Sequence, residues 1–115
     1  MIVDDDEDSL QQMHREIDFA GLGFQSIGFF TDGWKALTTA GEERLDAVIT
    51  GVDLPGLAGM EFARRIYENH PGIKVIILTE NSEFSYAREA VSLKVYEYIL
   101  KPVDTDEIYK VLKKC

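Results

Sequence analysis

The chain is short of cysteine, proline, positive charge and long apolar runs. Its single cysteine, Cys115, is the last of 115 residues, so no internal disulfide can form. A lone thiol agrees with a reducing compartment, and a cytoplasmic location is expected. No apolar stretch approaches the roughly 20 residues that cross a bilayer, and no signal peptide is visible, so no membrane role is expected. Lysine and arginine number 12 against 21 aspartates and glutamates, a net charge of −9. Phosphate backbones attract cations, which argues against direct nucleic-acid binding by this chain. Walker-type and dinucleotide-binding fingerprints are missing. His14 and His70 are isolated from each other, and His70-Pro71-Gly72 reads as a helix stop rather than part of a metal pair.

What remains is 45% hydrophobic and 29% charged, the balance of one globular domain over residues 1–115 with a single core. Cys115 follows Lys113-Lys114 without a stop signal, so a fragment of a longer protein is expected. Met1-Ile2-Val3 reads as the end of a strand. Asp8 or Ser9 caps a helix over Leu10 to Ala20, with Met13, Ile17 and Ala20 on one face and Gly21 and Gly23 ending it. Phe24 to Phe30 is a strand candidate, Trp34 to Thr39 a helix that stops near Gly41, and Ala47 to Thr50 an apolar strand. A loop rich in glycine and proline covers Leu54 to Gly59. Met60 to Asn69 is a helix with Phe62, Ala63 and Ile66 inward, and Lys74 to Thr79 is a β-prone strand. Ser82 caps a helix over 83–93, and Tyr96 to Leu100 is the last strand. Asp104 and Glu107 form a capping box for a helix through Lys114.

Strand and helix thus alternate five times. The strands Ala47–Thr50 and Val75–Leu78 are apolar without alternation, as in parallel sheets covered on both faces. The expected fold is a doubly wound α/β domain, (βα)5, with five parallel strands. Ligands of such sheets gather outside the carboxyl ends of the strands. Asp4 and Asp5 follow the first strand, Gly51 ends the third, Thr79 the fourth and Lys101 the fifth. Two acids, a hydroxyl and an ammonium at one sheet edge are the parts of a phosphoryl-transfer site. Carboxylates hold Mg²⁺, and a hydroxyl and a lysine stabilise phosphoryl oxygens. A flavodoxin-like cofactor binder shares the sheet but needs a phosphate-cradling loop after the first strand. Asp4-Asp5-Asp6-Glu7-Asp8 repels phosphate there.

Val3-Asp4-Asp5-Asp6, Leu45 to Thr50, Leu54-Pro55-Gly56-Leu57-Ala58-Gly59, Ile76-Ile77-Leu78-Thr79 and Tyr98-Ile99-Leu100-Lys101-Pro102 together resemble the receiver domains of two-component response regulators. The resemblance covers essentially the whole chain. It implies the flavodoxin-like strand order 2-1-3-4-5. It also implies an acidic pair, Asp4 and Asp5, for Mg²⁺, with Asp5 the direct ligand and the Asp53 backbone carbonyl completing the metal site. Thr79 and Tyr98 would be the switch residues and Lys101 the phosphate-contacting lysine. The bond to Pro102 would be cis, a minority state that needs a structural reason. Phe84 to Ala90 is similar to receivers that precede helix-turn-helix output domains, so transcription regulation is the expected context.

The departure is at the phosphoacceptor position. In the family that aspartate lies four residues before the loop proline, and counting back from Pro55 gives Gly51. Glycine offers neither nucleophile nor metal ligand. Shifting the acceptor to Asp53 breaks the loop spacing and moves the carboxylate out of the pocket. The expectation is a pseudo-receiver in a phosphorelay, with Mg²⁺ binding weakened or absent and Lys101 free to approach the acidic pair. It would act as an interaction module and not as an enzyme. Its partners would be a sensor histidine kinase or another signalling protein, or a homodimer through the face of the 83–93 helix, the last strand and the last helix. Val91, Leu93, Val95, Tyr96 and Tyr98 supply apolar and aromatic groups around that face. The alternative is an ordinary Mg²⁺-dependent phosphoacceptor in which Gly51 replaces an aspartate. Such a receiver would catalyse only its own phosphorylation and dephosphorylation.

Overall fold

Runs of β-branched residues form the centre of the molecule. A computed structural model describes residues 1–24, 28–43, 45–52, 54, 56–79, 95–101 and 104–114. Its strands are β1 (Ile2–Val3), β2 (Phe29–Phe30), β3 (Ala47–Gly51), β4 (Lys74–Thr79) and β5 (Glu97–Leu100). They pair in parallel, as the alternation of elements predicts, in the order β2-β1-β3-β4-β5, the flavodoxin-like order that the family resemblance implies. The described helices are α1 (Glu7–Glu16), α2 (Gly33–Glu42), α3 (Gly59–Asn69) and α4 (Thr105–Lys113).

Successive strand residues point to opposite faces, so each apolar run supplies two cores at once. On one face Val3, Val48, Val75 and Ile77 pack with Ala36 and Ala40 of α2 and with Phe62, Ala63 and Ile66 of α3. On the other, Ile2, Ile49, Ile76, Leu78 and Ile99 pack with Leu10 and Met13 of α1, with Ile17, and with Ile108 and Leu112 of α4. Burying each large side chain contributes roughly 1.5–3 kcal/mol. The inward positions of Met13, Ile17, Phe62, Ala63 and Ile66 are as the spacing predicts. Ala20 is not inward: α1 ends at Glu16, and Ala20 lies in an exposed turn beyond it.

Aspartate begins three of the four described helices. The side chains of Asp6, Asp32 and Asp104 each accept from two backbone N–H groups of the turn that follows. Replacing such a cap by alanine typically costs about 1 kcal/mol. Helix α1 therefore begins one turn earlier than expected, on Asp6 rather than Asp8 or Ser9. The Ser9 hydroxyl instead donates to Asp6 Oδ2 at 3.0 Å. Gly41 lies within α2, which runs on to Glu42. Of the strand expected over Phe24 to Phe30, β2 comprises Phe29–Phe30, Phe24 and Gly28 lie outside it, and 25–27 are outside the described residues. Strand β4 has the expected bounds, and β5 begins one residue later than expected. The helix expected over 83–93 lies outside the described residues.

Helix α3 has no side-chain cap. The Gly59 N–H donates to the Val52 carbonyl at 2.7 Å, tying the start of the helix to the end of β3. A Cβ on Gly59 would collide with the Gly51 carbonyl oxygen, so only glycine permits this approach. The contact fixes the backbone at the place where the site lies.

Candidate functional site

Register alone gathers the site. Val3 pairs with Thr50, Gly51 with Leu78, and Thr79 with Leu100. The residue after β1, the last residues of β3 and β4, and the residue after β5 therefore share one edge. Two backbone bonds extend the pairing past the strand ends: the Asp4 N–H donates to the Phe30 carbonyl at 2.9 Å and the Lys101 N–H to the Thr79 carbonyl at 2.7 Å. The result is a cleft of about 180 Å³ lined by Asp4, Asp5, Gly51 and Val52 on one side and Leu78, Thr79 and Lys101 on the other.

Asp4 is only 1% exposed. Its Oδ1 accepts from the Asp6 N–H at 3.0 Å, and its Oδ2 lies 2.8 Å from Lys101 Nζ. The Lys101 ammonium is thus the counter-charge that Oδ2 meets. Burial raises the Asp4 pKa above the ordinary carboxylate value. Lys101 and the Asp6 N–H oppose the shift without cancelling it. A buried carboxylate that is costly to keep charged thus faces the cleft. Asp5, next in sequence, is exposed at the cleft wall. Asp6 is turned away into the α1 cap, and its pKa is lowered chiefly by the Ser9 hydroxyl.

Gly51 is buried at the cleft floor. A Cβ placed there would point at the acidic wall, 3.4 Å from Asp4 Oδ1, 3.5 Å from Asp4 Cγ and 3.7 Å from Leu54 Cδ2. These are ordinary contact distances, so the backbone accepts a side chain at 51. Thr79 is buried across the cleft. Tyr98 is half-buried and packs on the Val48 and Ile77 side of the sheet instead of lining the cleft. Asp53, expected to offer a metal-ligating carbonyl, and Pro102, expected to follow a cis bond, lie outside the described residues.

Sequence reasoning did not find two features of the site. One is Leu54, whose buried side chain forms an apolar wall beside residue 51. The other is the role of Gly59 in holding α3 against the end of β3. The Gly56-Leu57-Ala58-Gly59 run carried a signal for the latter, because glycine at the first position of a helix suits close backbone approach.

Mg²⁺ takes one or two carboxylates together with water and phosphate oxygens. The buried Asp4 carboxylate at the cleft and the neighbouring Asp5 fit that need. Among the described residues no set of three or more carboxylate, histidine or cysteine ligands converges, so water would fill most of the shell. No described helix is long and apolar enough to cross a membrane.

Residues 1–113 match the response regulator receiver domain. The chain is 31% identical over 114 residues to the uncharacterised transcriptional regulatory protein YesN of Bacillus subtilis, covering 99% of this chain and 31% of that protein. It is 30% identical over 114 residues to sporulation initiation phosphotransferase F of the same organism, covering 99% of this chain and 90% of that protein. Its fold superposes on the receiver domain of AraT, a response regulator from Geobacillus stearothermophilus, with a TM-score of 0.89 at 30% identity, covering 98% of this chain and 88% of that one. The chain spans less than a third of the transcriptional regulators YesN and NtrC, 31% and 24% of their lengths. Receiver domains generally bind Mg²⁺ and interact with histidine kinases and output domains. This chain belongs to that family: it is a response regulator receiver domain of two-component systems.

Proposed function

We propose that this receiver domain takes no phosphate at residue 51 and acts as a protein-interaction and regulatory module within a two-component pathway. One observation carries the reading. The only inward direction available at residue 51 points at Asp4, and glycine places no atom there. An acyl phosphate needs a carboxylate, and Gly51 has none. Lys101 pairs with Asp4 instead, which supplies one positive charge to a cleft that has lost one negative charge. Divalent-metal binding is correspondingly weak, because Asp4 and Asp5 are the only carboxylates at the described cleft wall. The module would report to a histidine kinase or another signalling protein and to an output domain that regulates transcription. It would not be an enzyme toward external substrates. The homodimer face falls partly on the helix expected at 83–93. Its described part exposes Tyr96, Leu100 and Tyr109, which suits contact with a second copy.

A second reading has its own support. Among the described residues a Cβ at 51 meets nothing closer than 3.4 Å, which suits an aspartate there, as an ordinary phosphoaccepting receiver requires. Incubation with acetyl phosphate and Mg²⁺ followed by intact mass separates the two. The proposal expects no added phosphoryl group on this chain and one added group on Gly51→Asp. A phosphoryl adduct on the unaltered chain would reject it.

A further inference from the structure

Three close approaches at glycine run from the cleft to the outer surface of α2. At the inner end, Gly59 meets the Gly51 carbonyl and donates its N–H to the Val52 carbonyl at 2.7 Å. In the middle, a Cβ on Gly33 would collide with the Leu57 carbonyl oxygen, so the first residue of α2 lies directly against the 56–59 connection. At the outer end, Gly56 has a positive φ of 77° and lies against the indole of Trp34. A Cβ on Gly56 would stand 2.8 Å from Trp34 Cδ1 and 3.5 Å from Nε1.

Trp34 is 47% exposed. A single exposed aromatic side chain needs no explanation by itself, but this one is engaged by two other elements. Its pyrrole edge meets Gly56, and Arg65 of α3 places its guanidinium 5.0 Å from the ring centroid. Arg65 is held in turn by Glu61 at 3.2 Å. The backbone of Trp34 is fixed by the α2 cap, where its N–H donates to Asp32 Oδ1 at 2.7 Å. The indole thus bridges α2, the connection after β3, and α3.

We infer that Trp34 is a positioning residue for the cleft. Its indole seats Gly56 against α2, and through Leu57 and Gly59 it fixes the end of β3, where residue 51 lies. Backbones packed this closely pass on a displacement, because no side chain between them can absorb it. The competing anchor is Leu57 itself, which is buried in the core beside Ala36 and Phe62. If that burial alone seats the connection, the indole adds nothing at the cleft. Because the indole is half-exposed, a change at the outer surface of α2 reaches the acidic cleft by this route. The inference does not depend on whether residue 51 takes phosphate.

The test is native-state hydrogen exchange and amide NMR of the 115-residue chain and its Trp34 variants. Exchange at the Gly59 N–H is compared with exchange at the core amides of β4, which report opening of the whole domain. In Trp34→Ala, exchange at Gly59 should rise about tenfold relative to β4, and the Gly51 and Val52 amide resonances should move. Trp34→Phe keeps a flat ring on Gly56 and should recover most of both changes. Lys35→Ala, beside Trp34 on α2 and also exposed, should produce neither. An equal rise at Gly59 and β4 would overturn the inference, because Trp34 would then add only global stability. So would unmoved Gly51 and Val52 amides, or the same changes in Trp34→Phe as in Trp34→Ala. Each of these results would leave the proposed function standing.

Discussion

Two sets of ion pairs show how burial changes the value of the same chemistry. On the outer face of α3, Arg64 contacts Glu61 and Glu68, and Arg65 contacts Glu61 at 3.2 Å. All four side chains are at least 32% exposed, and water screens them. At the carboxyl edge of the sheet, Lys101 meets an Asp4 that is 1% exposed. The first set is one helical turn's worth of solvated pairs, each worth a few tenths of a kcal/mol. In the second, the carboxylate has lost its water and gained one ammonium and one backbone N–H in exchange. Its raised pKa says that the exchange is incomplete. The site is therefore held by the sheet around it, and the ion pair limits a cost that the fold imposes.

The largest expected effect comes from removing the cation at the edge. Lys101→Met leaves Asp4 buried without a counter-charge and should destabilise the domain by about 3 kcal/mol. Urea denaturation at neutral pH measures it. A loss no greater than that of a surface lysine would place Lys101 in solvent and erase the contrast.

Adding charge at the same edge should cost somewhat less. Gly51→Asp fits sterically, so its penalty is mainly repulsion from Asp4 and Asp5, about 2 kcal/mol at an effective dielectric near 20. Mg²⁺ should recover most of that loss and have little effect on the unaltered chain. Equal Mg²⁺ stabilisation of both proteins, read as shifts of the urea midpoint, would contradict the weak metal site.

Neutralising the buried acid sharpens the comparison in the other direction. The folded-state pKa of Asp4 is raised, so the native state favours its protonated form. The associated stability is fully present below the unfolded pKa and is lost as pH rises through the folded value. Asp4→Asn should therefore be about 1 kcal/mol more stable than the unaltered chain at neutral pH. That advantage should disappear in acid. An advantage that persists unchanged into acid would deny that the carboxylate is the source.

The smallest effect belongs to α3. Arg64→Ala should change stability by about 0.5 kcal/mol or less, and 1 M salt should remove most of the difference. A change comparable to that of Lys101→Met would mean that exposure does not separate the two regions.

The sheet was legible in the sequence because its signal is local. The uninterrupted run Val75-Ile76-Ile77-Leu78 needs both faces covered, and the structure buries all four side chains. The short edge strand β2 was not, because two phenylalanines flanked by Gly28 and Thr31 give no periodicity. The start of α1 was misplaced for a different reason. Asp6, Asp8 and Ser9 can all cap a helix. The choice follows from where β1 ends, since Asp4 must stay in the cleft and the chain turns immediately after it. The edge residues could be ranked from strand ends alone. Which acid Lys101 would meet could not, because Asp4 and Asp5 differ only in the direction the backbone gives them. The ion pair at Asp4 Oδ2 and the leucine wall at residue 51 depend on distances that no spacing in the chain encodes.

Beryllofluoride mimics a phosphoryl group by coordinating the acceptor carboxylate, so it probes the absent side chain directly. Fluorine NMR of the domain with beryllium, fluoride and Mg²⁺ should show only free beryllofluoride species for this chain and a bound signal for Gly51→Asp. A bound signal from the unaltered chain, persisting after removal of free fluoride, would contradict the claim that residue 51 leaves this receiver without an acceptor.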